Sequence, residues 1–451
     1  MTTRRTTLAS FPGAARAAVL RRPTLCAALL CLLSFAAHVI AQRAAEVSMV
    51  DLLVYRAEGW AARTGGDLYD LRATVYDLPN TYPPFAALVF TPLTLVSAGT
   101  LKALAVAVNL GLVVVLAHLA LRLVGRPLAV PRPAAVLALS ALAVWCEPVW
   151  TTFRWGQINL LVTVLVLWDL TRRQGHRWAG VGTGIAAGIK VTPALFVVFL
   201  AVAGLVEAVR RVRSGHGAWN EPLRRAATGT AAFAATVVSA AALLPRDTHR
   251  FWTEILVATD RPGFVAGTGN QNLLGVLARA LHTTEPGLWW TVAAALVACT
   301  GLATAAAAQL AGDRMPNGRA WAAVVCAVTA LLVSPVSWSH HWVWAVPLVL
   351  LLGVEAQRRR DARWAWGAVL SGLVFCSFMI WYVPHATPDR PELHQNVGQM
   401  LLSGAYPVLG LAVLAVAARL AVRAWRSAPP EPPEPRGLPR QRETGTAYVR
   451  G

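Results

Sequence analysis

In a chain of 451 residues, 56% hydrophobic and only 14% charged, too little polar side chain is present to cover a water-facing surface, which excludes a soluble globular protein. A net charge of +19 would suggest nucleic acid in a soluble chain, but here the arginines sit in short loops between apolar runs. In that position they orient a chain in a membrane and meet anionic lipid, so membrane lipids are expected partners and nucleic acid is not. Cys26, Cys31, Cys146, Cys299, Cys326 and Cys376 all fall within apolar runs without paired spacing; they indicate neither a disulfide framework nor a zinc site and read as small core residues.

Residues 1–22 form a basic N-terminal stretch without an acidic residue, and the apolar run 23–40 behind it reads as a retained signal anchor with a cytoplasmic N-terminus. Arginine clusters at 4–22, 122–132, 172–177, 210–225, 314–319, 358–363 and 419–440 alternate consistently when all lie inside. The expected spans are then 23–40, 101–123, 133–152, 157–170, 178–190, 192–209, 226–244, 288–310, 320–336, 342–356, 365–382 and 400–420, about twelve transmembrane helices with both termini cytoplasmic. Residues 85–99, short and containing Pro92, read as a re-entrant or interfacial segment, and 178–209 as a helical hairpin broken near Lys190 and Pro193. Residues 427–451 open with the proline-rich SAPPEPPEPRGLPR and read as a disordered cytoplasmic tail. This leaves one polytopic, all-α domain over 23–426. Most of the eighteen tryptophans lie at expected helix ends and read as an interfacial belt.

The loop 41–84 after the first span is where polar chemistry concentrates. Glu46, Asp51, Glu58, Asp67, Asp70 and Asp77 are six of the chain's 22 acidic residues, interleaved with Tyr55, Tyr69, Tyr76 and Tyr82. Aromatic faces beside carboxylates suit a sugar or a lipid headgroup. Residues 50–62 read as an amphipathic helix lying on the membrane, with Val50, Leu53, Val54 and Ala61 or Ala62 toward lipid and Asp51 and Glu58 on another face. Asp51 stands out by position, one or two helical turns past the first span, at the depth of an activated lipid headgroup.

Under this topology the other polar residues gather at the extracytoplasmic ends: Arg154, Trp155, Gln157 and Asn159; Lys190 and Thr192; Asn270, Gln271 and Asn272; and Ser334, Ser337, Trp338, His340 and His341. Lys190 is one of only two lysines, the other being Lys102. A compact ammonium within an apolar hairpin suits a phosphate, or it snorkels from a helix end. Arg154, outside against the positive-inside trend, calls for an anionic partner, either a loop carboxylate or a substrate phosphate. His340 and His341 suit a sugar hydroxyl, proton transfer or a structural role at the interface; adjacent helical side chains share no face, which disfavours a metal. Asn270, Gln271 and Asn272 offer amides to sugar hydroxyls.

Several motifs together resemble glycosyltransferase family 87, integral membrane mannosyltransferases dependent on polyprenol-phosphate-mannose that build phosphatidylinositol mannosides and lipomannan. They are DxxVY at 51–55, GxxLY at 65–69, YPPF at 82–85, RWGQIN at 154–159, GIKVTP at 188–193, GNQN at 269–272 and SPVSWSHH at 334–341. The resemblance implies a GT-C architecture in the cell membrane with an extracytoplasmic site, a polyprenyl-phosphate-mannose donor, a mannosylated lipid acceptor and an α-(1,2) product. It gives Asp51 the role of general base. Donor contacts then fall to Lys190, Arg154, His340 and His341, and acceptor or headgroup contacts to Glu58, Tyr55, Tyr82, Gln157, Asn159, Asn270, Asn272 and Trp338. No cofactor or metal is expected, because basic side chains can neutralise a lipid monophosphate leaving group. A glycolipid transporter is the rival of another class, but such proteins favour internal repeats and midplane sites, and no repeat is evident here. A related GT-C enzyme using another lipid-linked sugar, such as arabinofuranose, is the rival of the same class.

Overall fold

The computed structural model describes residues 22–125, 130–258 and 263–427. The expectations for the basic N-terminal stretch and for the proline-rich tail fall on residues outside those described. The described residues are mainly helical, with one short antiparallel pairing in the first loop, Arg72–Ala73 against Leu78–Pro79, and a single antiparallel bridge between Asn270 and Trp338.

Helix Pro23–Ala44 buries only Ala27, Cys31, His38 and Gln42 and turns Leu25, Leu29, Leu30, Leu32 and Leu33 outward. Bare leucine on that scale is stable only against lipid. Helix Gly318–Val333 is the converse: nearly every residue from Ala320 to Leu332 is buried, which marks it as the centre of the bundle. It packs on Leu288–Leu310, where a Cβ at Gly301 would lie 2.1 Å from Thr329 Oγ1, so only glycine permits that approach. Around this pair stand Ala194–Arg213, Ala345–Arg359 and Ala405–Arg426; Val181–Ile189 packs on Glu221–Leu243, Ala345–Arg359 on Ala362–Cys376, and Pro23–Ala44 on Arg132–Ala143.

Among the described residues, five helices are long and apolar enough to cross a membrane alone: Pro23–Ala44, Ala98–Val124, Glu221–Leu243, Leu288–Leu310 and Ala405–Arg426. A sixth is added if Arg132–Ala143 and Glu147–Trp155, bent by 71° at their joint, form one span. The remaining expected spans are shorter pieces. Residues 157–170 are reduced to Asn159–Leu170, the 178–209 hairpin breaks at Lys190 to Pro193 into Val181–Ile189 and Ala194–Arg213, and 342–356 opens with a 3-10 turn, Ser339–Trp344, before Ala345–Arg359 begins. Residues 85–99 divide into helix Pro84–Phe90 and 3-10 turn Thr91–Leu95. Broken helices are tolerated at membrane depth where protein surrounds the freed backbone groups, and the breaks at 156–158, 190–193 and 334–338 all face one another across the site described below.

Three further expectations are corrected by packing. Val50, Val54 and Ala61 do not face lipid; they are buried inside the protein together with Tyr55 and Glu58, and Trp60 is the side chain that projects outward. Trp321 and Trp342 are fully buried core residues and not part of an interfacial belt. Cys299 and Cys376 are exposed, so those two are not core residues either.

Candidate active site

The helix Val50–Thr64 turns Asp51, Tyr55 and Glu58 to the same side, the i, i+4, i+7 spacing of one helical face. It is seated by two close approaches. Gly59 lies against the backbone of Phe90, where a Cβ would stand 2.4 Å from the carbonyl oxygen, and Gly156, at φ +69°, lies against Leu52, where a Cβ would stand 2.7 Å from that residue's Cβ. The left-handed turn at Gly156 ends helix Glu147–Trp155 and sends the chain back so that Gln157 meets Asp51.

Gln157 Nε2 donates to Asp51 Oδ2 at 2.6 Å, while its Oε1 accepts from the Tyr55 hydroxyl at 2.8 Å and the Tyr82 hydroxyl at 3.2 Å. The two tyrosine hydroxyls also touch at 2.8 Å, and the Tyr55 ring stacks on Phe90. With both hydroxyls on its oxygen, the Gln157 amide can present only N–H to Asp51, which orients that carboxylate as an acceptor. Burial pushes the Asp51 carboxyl up to about 6, against the opposing pull of the Gln157 hydrogen bond and the charge of Lys190.

Lys190 follows the last turn of Val181–Ile189 and is in extended backbone conformation, so its side chain leaves the helix and enters the site. Its Nζ donates to Asn159 Oδ1 at 3.1 Å and to His341 Nε2 at 2.9 Å, and stands 5.5 Å from the centre of the Tyr82 ring. Burial lowers the Lys190 amine to about 7, against the opposing charge of Asp51; in its ammonium form it has no acceptor, and His341 then carries its ring proton on Nδ1. Asn159 uses its other end, Nδ2, to hold the His340 carbonyl at 3.1 Å. Lys190, Asn159, Thr192, Ser334, Ser337 and His341 line a cavity closed on its apolar side by Phe196 and Trp344. An ammonium, an imidazole, three hydroxyls and an amide thus face one hollow beside a half-buried carboxylate, a set able to hold a phosphate and to accept a proton from a hydroxyl.

The remaining candidates stand apart from this hollow. Asn270 and Asn272 are fully buried with their amides committed to the backbone: Asn270 to Ser337 N and Val265 O, and Asn272 as the N-cap of Leu273–Ala280 and to Ser334 O. Asn272→Ala is expected to cost about 1 kcal/mol or more through the lost cap, read as a lower melting temperature in detergent with kcat per folded molecule unchanged. Trp338 covers the glycines at 263, 267 and 269. His340 is buried, its ring stacked edge-on to His341. Arg154 lies over its own neighbour Trp155, 5.5 Å from the ring centre, and no described carboxylate pairs with it. Asp67 and Asp70 are paired with Arg250 at 3.0 and 2.7 Å.

Glu58 is fully buried and neither of its oxygens has a hydrogen-bond partner among the described residues. Burial, with the Asp51 charge adding to it, drives its carboxyl well above the usual range and keeps it neutral. Glu58→Gln is therefore expected to leave thermal stability equal or higher; a marked fall in melting temperature would mean that this group is held charged.

Sequence reasoning passed over Glu147, a fully buried carboxylate that ties the turn carrying His341 to the rest of the bundle. The acid preceding a proline at a helix start reads locally as an ordinary first-turn residue.

A family model described as Glycosyltransferase family 87 matches residues 80–335, which takes in Tyr82, Gln157, Asn159 and Lys190 and stops short of Asp51 and His341. A polyprenol-phosphate-mannose-dependent alpha-(1-2)-phosphatidylinositol mannoside mannosyltransferase of Mycolicibacterium smegmatis is 31% identical, over 81% of this chain and 83% of its own. A polyprenol-phosphate-mannose-dependent alpha-(1-2)-phosphatidylinositol pentamannoside mannosyltransferase of Mycobacterium tuberculosis is 34% identical, over 80% and 81% respectively. No solved structure matches. The match over more than half the chain, together with relatives aligned along four-fifths of it, makes this multi-pass membrane protein a glycosyltransferase belonging to family 87.

Proposed function

We propose that the protein moves a mannosyl group from polyprenyl-phosphate-mannose to a hydroxyl of a mannosylated lipid, with inversion, on the extracytoplasmic face of the cell membrane. The observation that carries this reading is the pairing of a half-buried Asp51, oriented by Gln157, with a cavity that presents Lys190 and His341. The acceptor oxygen attacks the anomeric carbon while its proton passes to Asp51; the bond from that carbon to the phosphate oxygen breaks on the opposite face, and polyprenyl phosphate departs. Lys190 meets the negative charge that grows on the phosphate. His341, with Nε2 turned to Lys190, orients the ammonium. Inversion with an α-(1,2) product, as in the names of the relatives, requires a β-configured donor.

Tyr55, Tyr82 and Asn159 support this set indirectly, Tyr55 and Tyr82 by fixing the Gln157 amide and Asn159 by fixing Lys190. Arg154, partly exposed over Trp155 and without a carboxylate partner among the described residues, would meet an anionic headgroup.

The arginine clusters support a topology with residues 41–84 and 334–341 outside and 210–225 and 357–363 inside. Single cysteines introduced into a cysteine-free background should react with an impermeant maleimide in intact cells at the first two segments only. Labelling of 210–225 from outside would overturn the assignment.

The activity itself is tested by incubating membranes with labelled polyprenyl-phosphate-mannose and a panel of phosphatidylinositol mannosides, with a lipid-linked arabinofuranose in parallel. A new mannolipid cleaved by an α-(1,2)-mannosidase is the expected product. Transfer from the arabinofuranose donor alone would assign the enzyme to the other sugar.

A further inference from the structure

Glu147 is fully buried, and both of its oxygens are engaged by side chains from four separate segments. Oε1 accepts from Thr151 Oγ1 at 2.7 Å, from Ser339 Oγ at 2.8 Å and from Trp381 Nε1 at 2.9 Å, and Oε2 accepts from the Tyr406 hydroxyl at 2.9 Å. Thr151 is one turn along its own helix, Ser339 opens the 339–344 turn, Trp381 ends the 379–381 turn, and Tyr406 begins helix Ala405–Arg426. Three donors crowd onto Oε1 and the Tyr406 hydroxyl holds Oε2, so the carboxylate is buried with partners on both oxygens, and losing one of the three donors on Oε1 still leaves each oxygen hydrogen-bonded.

Ser339 is two residues before His341. On its far side the same turn is held by Asn159 Nδ2 and Thr152 Oγ1, both on the His340 carbonyl, and by the Ser339 N–H on Gly269 O. Glu147 and Thr152 lie on a single short helix whose C-terminal turn delivers Gln157 to Asp51. One helix, Glu147–Trp155, is thus in contact with both halves of the site, with Asp51 through Gln157 and with His341 through Glu147 and Ser339.

We propose that Glu147 is a positioning residue for transfer: through Ser339 it sets where the His341 ring, and with it the Lys190 ammonium, stands relative to Asp51. The proposal rests on the reading of Asp51, Lys190 and His341 as the reacting site. Misplacing a reacting group by about 1 Å costs on the order of 100-fold in rate, so the loss should fall on kcat, whereas a purely structural role would lower the amount of folded protein and leave kcat per molecule intact.

The test uses the purified full chain in nanodiscs, with polyprenyl-phosphate-mannose and a phosphatidylinositol mannoside. Ser339→Ala removes the strut to the turn and keeps Glu147 and its other three donors, which guards against a Glu147→Ala protein that fails to fold. Ser339→Ala is expected to lower kcat by about 10- to 100-fold at normal melting temperature, and Glu147→Gln, which keeps an oxygen toward Ser339, to lower it less than Glu147→Ala. Combining Ser339→Ala with His341→Ala should cost no more than His341→Ala alone, because the first acts through the second. A second readout needs no sugar donor: the rate at which diethyl pyrocarbonate acylates His341, followed by peptide mass spectrometry, should rise in Ser339→Ala as the imidazole leaves Lys190. If wild-type protein transfers nothing from this donor, the reading of the reaction fails while the acylation rates still decide the positioning role. Unchanged kcat and unchanged acylation in Ser339→Ala, or losses that multiply in the double variant, would overturn the proposal.

Discussion

Asp51→Asn should reduce mannosyl transfer by about 100-fold to 10,000-fold, the contribution of a well-placed general base, while expression, melting temperature and donor binding stay near those of the wild type. The substitution preserves volume and leaves a carbonyl oxygen to accept from Gln157 Nε2, so the local network of Gln157, Tyr55 and Tyr82 persists. What it removes is the oxygen able to take a proton from the acceptor hydroxyl. Two carboxylates from the same loop serve as matched controls. Glu58→Gln replaces a group already neutral, and Asp67→Asn weakens an exposed ion pair with Arg250, a contact worth little in water; each should be mild. Near-normal transfer by Asp51→Asn, with loss in one of the controls, would move the base to that residue.

Lys190→Ala is the second large effect. Lys190 is held by Asn159 and His341 at the cavity wall, and in the proposed reaction its charge is in place before the leaving group departs. Loss of one such preorganised donor costs about 100-fold to 1,000-fold, here expected as a lower kcat together with weaker binding of the polyprenyl-phosphate donor. Lys190→Arg should recover only part of it, since a planar fork cannot occupy the place of a compact ammonium against Phe196 and Trp344. Normal transfer by the alanine variant at equal membrane abundance would make Lys190 a snorkelling residue at a helix break.

Much of this site was legible because its motifs are local. Asp51 to Tyr55, Gln157 to Asn159, Lys190 and His341 each sit beside a helix end that proline, glycine or a polar residue announces, and those ends meet in space. The number of crossings was less legible, because hydropathy counts apolar residues and not their continuity. Residues 133–152 read as one span and fold as two helices at 71°, and 178–209 yields helices of 9 and 20 residues. Amides were the weakest signal. Asn270 and Asn272 have the composition of a sugar subsite, but both are consumed by backbone groups that only the folded chain brings to them. Glu147 was invisible for the opposite reason: its four donors lie 4, 192, 234 and 259 residues away.

The central claim, that Asp51 accepts the proton, is tested most directly by the pH dependence of kcat/KM for purified wild type, Gln157→Leu and Asp51→Asn. A base works deprotonated, so a carboxyl raised to about 6 should give the wild type an acid limb near that pH, with activity falling as pH drops through it. The Gln157 hydrogen bond stabilises the ionised form, so Gln157→Leu should carry the limb to higher pH. In Asp51→Asn the residual rate should lose the limb altogether. An acid limb that stays at the same pH in all three proteins would assign the proton to another group and contradict the mechanism.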